Sequence, residues 1–266
     1  MLAMDVNDNA YLLNKRVVLE FIASSLLQRL PDALTDQPYA VARLFVRHRL
    51  GLRQSRCEVK DMATKLPAAV RDRALQIAHH EMGHYVVARA LGFATGGVTL
   101  TVTMDLRHQG GACITLVRPI SSIEAMKEHL EARMMVLLAG AMAQTLPSQP
   151  SAGKRVDKPR ATAILKGEQG AEQDYAKIRE LQYLLRNIAY PDTDPVSSGS
   201  ITTEMKAIND RLWMRTQEIV EALSETITEL GETLVDRMVL VEQWGRPADT
   251  YEVVLTREML ERLNPL

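Results

Sequence analysis

The sequence predicts a mainly α fold (α+β), with a small β-sheet beside one long helix. Residues 68–91 are typical of a long helix, and Gly92 fits its C-terminal stop. Residues 98–103 alternate between apolar and polar β-branched side chains, which indicates a strand with one buried face. Several long segments in the second half of the chain favour helices, so helices dominate the predicted fold.

Two regions divide the 266-residue chain. We expect a helical N-terminal extension over residues 1–64 and a separate domain over residues 65–266. Residues 43–60 are rich in arginine and lysine, and we interpret them as a solvated helix and loop rather than as a surface for an anionic partner. The role of the extension stays open between a docking module, an oligomerisation arm and a propeptide.

A second strand is expected at residues 112–117, antiparallel to the strand at 98–103. Gly110 and Gly111 are expected to form the turn between the two strands, because glycines mark tight turns. The two strands together form the small sheet that we expect beside the helix at 68–91.

Helices are expected to fill most of the remaining domain. Ser121 and Glu124 form a capping box for a helix over residues 122–146. Residues 147–166 contain three prolines and a glycine, and we expect a loop there. Further helices are expected at about residues 171–187, at 201–238, and from Thr256 onwards.

Composition excludes several classes of protein. The net charge of −1 gives no reason to expect nucleic acid as a partner. Two cysteines, Cys57 and Cys113, argue against a secreted disulfide scaffold and fit a reducing compartment. The N-terminal sequence does not resemble a signal peptide, and the most apolar run, residues 134–142, is too short to span a membrane. We therefore expect a cytoplasmic protein without a membrane span.

The segment His80-Glu81-Met82-Gly83-His84 matches the pattern HExxH. Residues four apart on a helix lie on one face, so the imidazoles of His80 and His84 can bind the same metal ion. Glu81 lies beside that face, where its carboxylate can accept a proton from a water on the metal. The alternative is a pair of histidines that are hydrogen-bonded in a helical core. The neighbouring His79 is expected to support a ligand or to lie on the surface.

A catalytic zinc site needs a third protein ligand and one open position. The remaining histidines, His48, His108 and His129, do not continue the pattern that begins at His80. The third ligand must therefore come from farther along the chain. The best candidate is Asp174, at the start of a predicted helix. We expect one zinc ion per chain.

Residues 76–91, QIAHHEMGHYVVARAL, resemble the metal helix of the FtsH-type metallopeptidases. In that family a strand, a glycine turn and a helix ending in Leu-Ala-Gly follow the metal helix. The corresponding segments here are residues 98–104, 110–112 and 138–140.

The resemblance extends to the third ligand and covers the chain from about residue 66 to its end. The family's third zinc ligand is the aspartate of a Gly-Ala-x-x-Asp motif, which matches Gly170, Ala171 and Asp174. The resemblance therefore implies that His80, His84 and Asp174 bind zinc, with Glu81 as the catalytic base.

This chain also departs from the family. FtsH-type proteases carry an AAA ATPase module and membrane segments, but this chain contains neither a GxxxxGK[ST] loop nor a membrane-spanning stretch. The family has two glutamates after its Leu-Ala-Gly stretch, where this chain has Gln144 and Thr145. Family analogy implies a homo-hexamer, and a separate AAA ATPase is a candidate partner.

Together these features predict a zinc-dependent, ATP-independent metalloendopeptidase that acts on flexible or unfolded polypeptides. One alternative is a catalytically impaired zinc-binding regulatory or adaptor protein, and another is a peptidase subunit that relies on a separate ATPase. The strand at 98–104 is expected to be a sheet edge that pairs with the substrate backbone. Thr99, Thr101 and Thr103 are then expected to bind substrate.

Overall fold

The computed structural model describes four parts of the chain: residues 66–147, 155–168, 170–241 and 249–263. These residues all belong to one compact unit. They form a mainly α structure with a small antiparallel sheet, as the sequence predicts. The predicted helical extension, residues 1–64, lies outside the described residues, and the division of the chain at that point stays a prediction.

Seven α-helices lie in the described residues: α1 Ala68–Ala90, α2 Ile123–Ala143, α3 Lys158–Ala163, α4 Glu172–Ala189, α5 Ser198–Ala222, α6 Ser224–Asp236 and α7 Arg257–Leu263. The four strands are β1 Ala94–Thr103, β2 His108–Thr115, β3 Val239–Val241 and β4 Thr250–Leu255. Their order in the sheet is β2-β1-β4-β3, and each neighbouring pair is antiparallel. In this part of the chain, no helix has the length and apolar character needed to cross a membrane.

Helix α1 is the central element of the described unit. Every residue from 77 to 88 is buried. The helix is enclosed because α2, α6 and the strands β1 and β2 all pack against it. A helix in such a position is buried on all sides rather than along one stripe. Gly92 follows α1 with φ of +78°, which confirms the predicted stop.

Glycines allow the neighbouring helices to approach α1 closely. A side chain at Gly83 would place its Cβ 2.7 Å from the carbonyl oxygen of Ala139 on α2. On another side of α1, a Cβ at Gly231 of α6 would lie 2.6 Å from Cδ2 of His79. Both distances are shorter than real Cβ contacts. The crossings of α1 with α2 and with α6 therefore require the absence of a side chain at these two positions.

The hairpin of β1 and β2 differs from its predicted form at the turn. Val98, Leu100 and Val102 are fully buried, which confirms the predicted inward face of the strand. The turn lies at residues 104–107, however, and the predicted glycine turn is wrong. Gly110 and Gly111 are paired inside β2, opposite residues of β1, because β2 begins at His108 rather than at residue 112.

The prediction that the strand at 98–104 is an edge is also wrong. Strand β1 pairs with β2 on one side and with β4 on the other, so its main-chain groups are used in both directions. It therefore has no free edge to which a substrate strand could be added. Thr99, Thr101 and Thr103 stay predicted substrate-binding residues, but a free edge on β1 no longer supports that prediction. Strand β2 pairs only with β1 among the described residues and forms an edge there.

Three helix boundaries differ from their predicted positions. The N-cap of α2 is Ser122 rather than Ser121, because the Ser122 hydroxyl accepts a hydrogen bond from the backbone of Ala125. The predicted loop at 147–166 contains helix α3, which Asp157 caps. The predicted helix at 201–238 is two helices, α5 and α6, that meet at Leu223.

Strands β3 and β4 are not among the predicted elements. The alternation in Tyr251-Glu252-Val253 is the signal that indicates β4, since Tyr251 and Val253 are buried and Glu252 is not. The three residues of β3 carry no comparable pattern.

His79 is not on the surface, and its Nε2 makes no hydrogen bond to a predicted ligand. It is 2% exposed, and its Nε2 has no hydrogen-bond partner among the described residues. Burial lowers the pKa of His79 from 6.5 to about 4, because the charged imidazolium would lose its hydration. The folded protein therefore holds this imidazole neutral.

The neutral state of His79 predicts a pH-dependent stability. Its pKa is lower in the folded than in the unfolded chain, so the unfolded chain binds more protons between pH 6.5 and about 4. The free energy of unfolding should fall as the pH is lowered through this range, by about 2–3 kcal/mol from this group. In His79→Asn that contribution should be missing. Urea unfolding of both metal-free proteins at pH 7.5, 5.5 and 4.5 measures it, and parallel pH profiles would contradict it.

Candidate metal centre

Helices α1 and α4 bring the three predicted ligands together. His80 and His84 lie one turn apart on α1, and their Nε2 atoms are 3.0 Å apart. Asp174 lies in the first turn of α4, and its Oδ2 is 3.3 Å from His80 Nε2 and 3.0 Å from His84 Nε2. These three residues form a group that can bind a metal ion. Their side chains are at least mostly buried, so little water competes for the same atoms.

The donor atoms have the spacing that a tetrahedral ion requires. Zinc bonds of about 2.0–2.1 Å to nitrogen and oxygen imply that neighbouring ligand atoms lie about 3.3 Å apart. The separations of 3.0–3.3 Å between the three atoms fit this value. A Cβ at Gly140 of α2 would collide with His84 Nε2 and lie 2.7 Å from His80 Nε2. Gly140 thus keeps free the space beside the ligand nitrogens.

Helix α2 also orients both imidazoles. His80 Nδ1 donates a hydrogen bond to Oε1 of Gln144 at 3.1 Å. His84 Nδ1 donates to the carbonyl oxygen of Val136 at 2.7 Å. With both Nδ1 atoms protonated in this way, each Nε2 can direct its lone pair toward a metal. Gln144 is thus a neutral hydrogen-bond acceptor for the imidazole of His80.

Asp174 and His84 each stabilise the charged form of the other. Burial acts to raise the pKa of Asp174, but hydrogen bonds and charge from the two histidines outweigh it and hold the pKa well below its usual range. Burial acts to lower the pKa of His84, but Asp174, Glu81 and the Val136 carbonyl together raise it. The carboxylate of Asp174 is therefore ionised and attracts positive charge to this point, whether the charge is a proton or a metal ion.

Glu81 and the ligands line one cleft of about 330 Å³. The edge strand β2 forms one wall through Gly110, Gly111 and Ala112. A Cβ at Gly110 would lie 2.6 Å from Oε1 of Glu81, so the carboxylate lies directly against the β2 backbone. A larger cavity, of about 640 Å³ between α3, α4 and α5, contains none of the predicted site residues. The smaller cleft is the candidate site because Glu81, the three candidate ligands and the edge strand β2 meet there.

The other histidines of the domain do not join the ligand group. Nη2 of Arg73 lies 3.3 Å from Nδ1 of His108, and because a guanidinium can only donate, Nδ1 accepts and Nε2 carries the proton. Burial and the charge of Arg73 lower the pKa of His108. His129 lies beside the ring of Phe93, with the two ring centroids 5.7 Å apart.

No known protein-family model matches the chain, and no curated protein is significantly similar to it. The resemblance to the FtsH-type metallopeptidases therefore depends on the residues themselves: the metal helix, the third-ligand motif and the order of the elements.

The hydrogen bond between Gln144 and His80 predicts a role in metal binding. Gln144→Leu removes the acceptor and leaves a buried N–H without a partner, so the affinity for zinc should fall by roughly 10–100-fold. Gln144→Glu keeps an acceptor at this position and should retain the affinity. Competition with a chromophoric chelator, at a temperature where each variant is folded, measures the effect. Equal affinities of the wild type and Gln144→Leu would contradict it.

Proposed function

We propose that this chain is a zinc-dependent metalloendopeptidase that hydrolyses peptide bonds without ATP. The observation that carries the proposal is the placement of Glu81 beside three ligand atoms that are 3.0–3.3 Å apart, in a cleft with a sheet edge along its wall. Two imidazoles and one carboxylate suit several divalent metals, and an adjacent glutamate is the feature of zinc hydrolases. The proposal thus depends on the base as much as on the ligands.

The residues of the cleft have distinct roles in this reaction. His80, His84 and Asp174 would hold the ion, which when bound would activate a water and polarise the scissile carbonyl. Glu81 accepts the proton of the attacking water on a carboxylate oxygen and transfers it to the leaving amine. The Glu81 side chain is mostly buried against Gly110, so its carboxylate has little freedom to turn away.

The edge of β2 suits an extended polypeptide. Among the described residues the backbone of β2 is paired on one side only, and its other side is open to strand addition next to Glu81. A cleft of about 330 Å³ accepts a single extended chain rather than a folded domain. The substrates we propose are therefore flexible or unfolded polypeptides.

We place this activity in the cytoplasm. Cys113 is exposed and forms no disulfide with any of the described residues, which suits a reducing compartment. A separate AAA ATPase would supply unfolded substrate if the natural targets are folded, and a homo-hexamer follows by family analogy alone. Co-purification of an ATPase and light scattering of the purified chain test these two proposals.

Replacement of the base should separate metal binding from cleavage. Glu81→Gln keeps the size of the side chain but removes the proton acceptor, so kcat on unfolded casein should fall by at least about 100-fold. Its zinc content, measured by atomic emission, should equal that of the wild type. Retained cleavage would eliminate Glu81 as the base. If the wild type binds zinc and cleaves nothing, the regulatory alternative is supported instead.

Replacement of the third ligand should weaken metal binding. Asp174→Ala leaves only two protein ligands, and its zinc affinity should fall by more than the roughly 10–100-fold typical of a change outside the ligand set. Asp236→Ala, which removes an exposed carboxylate paired with Arg71, is the matched control and should bind zinc like the wild type. Reloading with zinc, iron and manganese in turn identifies the metal that supports cleavage. Unchanged affinity in Asp174→Ala would remove Asp174 from the site.

A further inference from the structure

Arg133 lines the same cleft as the ligands and Glu81 but has no role in the proposed chemistry. It lies on α2, seven residues before Gly140, which corresponds to about 10 Å along the helix. Leu137 lies between them on the same helix face and also lines the cleft. Arg133 is therefore displaced along the cleft from the metal ligands.

Contacts around Arg133 show toward which end of β2 it lies. Thr115, the last residue of β2, pairs with Ala94 at the start of β1. The preceding residue, Phe93, packs against the ring of His129. Arg133 follows His129 by one helical turn, and its charge lowers the pKa of that histidine after the larger effect of burial. Arg133 thus belongs to the C-terminal end of β2, whereas Glu81 lies against Gly110 near the other end.

Asp174 attracts the charge of Arg133 from beyond ion-pair distance, and the Asp174 carboxylate already has closer partners. Asp174 pairs with His80, His84 and Lys177, whose Nζ is 3.9 Å from Oδ1. Within residues 66–147, 155–168, 170–241 and 249–263, Arg133 makes neither an ion pair nor a hydrogen bond. Its guanidinium is partly buried, so its donors are only incompletely hydrated. A partly buried guanidinium in the wall of a cleft, with no hydrogen bond or ion pair in the described residues, is suited to bind an anionic group.

The charge balance of the cleft agrees with this role. Its wall carries three acidic side chains, Glu81, Glu172 and Asp174, and two basic ones, Arg133 and Lys177. A divalent ion held by the ligands would change this negative excess into a positive one. The zinc-loaded cleft would therefore favour a substrate with a negative charge near the bond that is cleaved.

We propose that Arg133 binds a carboxylate of the polypeptide substrate, which makes it a specificity-determining residue of the cleft. This inference rests on the proposed function. From Gly110 beside Glu81 to Ile114, β2 extends for about 13 Å, and a substrate that lies along it rises by about 3.3 Å per residue. The carboxylate thus lies about four residues from the scissile bond. It is either an aspartate or glutamate side chain or the C-terminal carboxylate of the substrate.

Matched peptides test the inference. A quenched fluorescent peptide with blocked ends is made with Gln at each of four positions on both sides of the scissile bond, and Glu replaces Gln at one position at a time. A second pair of all-Gln peptides differs only in a free or an amidated C-terminus. The wild type should favour one carboxylate-bearing peptide over its neutral partner by at least about tenfold in kcat/KM. The preferred peptide identifies the source of the carboxylate.

Variants of the two cleft cations decide whether Arg133 causes the preference. In Arg133→Gln the ratio of kcat/KM for the preferred peptide to that for its neutral partner should fall to about one. In Arg133→Glu a peptide with Lys at the preferred position should be cleaved better than either. Lys177→Gln removes an equal charge from the same cleft, but one already paired with Asp174, and should keep the wild-type ratio. A uniform loss on all peptides in Arg133→Gln, or a ratio that stays unchanged, would overturn the inference.

A binding measurement separates this inference from the proposed function. The same peptides, labelled with a fluorophore, are titrated with zinc-loaded Glu81→Gln, with and without the Arg133→Gln change, and followed by anisotropy. If the wild type cleaves the peptides but shows no charge preference, the peptidase assignment is intact and the proposed role of Arg133 is overturned. Inactive wild type with charge-selective binding that depends on Arg133 overturns the peptidase assignment and supports the carboxylate site.

Discussion

The close approach of α1 and α2 is the constraint on which the site depends. A side chain at Gly83 would collide with the backbone of α2, and one at Gly140 would occupy the space beside the ligand nitrogens. Because the helices pack this closely, α2 can also provide the acceptors for both imidazoles, at Val136 and Gln144. The contact between α1 and α2 thus both packs the core and orients the imidazoles of His80 and His84.

Burial of the motif would otherwise destabilise the fold. Three ionisable side chains of the motif, His80, Glu81 and His84, lie in the continuously buried stretch of α1 at residues 77–88, and unpaired polar groups are costly in such surroundings. Asp174 partly compensates by supplying a negative charge that two imidazoles share. Burial acts to lower the pKa of His84, but Asp174 and its other neighbours raise it. A metal ion at this point would compete with that proton, and its binding would then be coupled to the stability of the domain.

Local signals were sufficient for much of the fold and the site. Helix α1, its stop at Gly92 and the buried face of β1 follow from patterns within short segments, as does the HExxH spacing. Asp174 lies 90 residues beyond His84, so no local spacing connects it to the motif. It was a candidate because a third ligand was required, and the family resemblance supported that choice. The break at Leu223 has no glycine or proline to mark it, since it arises from the packing of α6 on α1. No sequence pattern marks Arg133, because the role proposed for it depends on its position in the cleft.

The pairing of β4 with β1 shows how a distant segment determines which edge of the sheet lines the cleft. Strand β4, about 150 residues after β1, occupies the side of β1 that the hairpin alone would leave open. Strands β2 and β3 then form the two edges of the sheet in the described residues, and of these only β2 lines the cleft, where its backbone at Gly110 lies against Glu81. Glu81 faces one end of the β2 edge and Arg133 the other. A chain bound along β2 would therefore meet different chemistry at its two ends, because the pairing of β4 with β1 leaves β2 as the sheet edge beside the cleft.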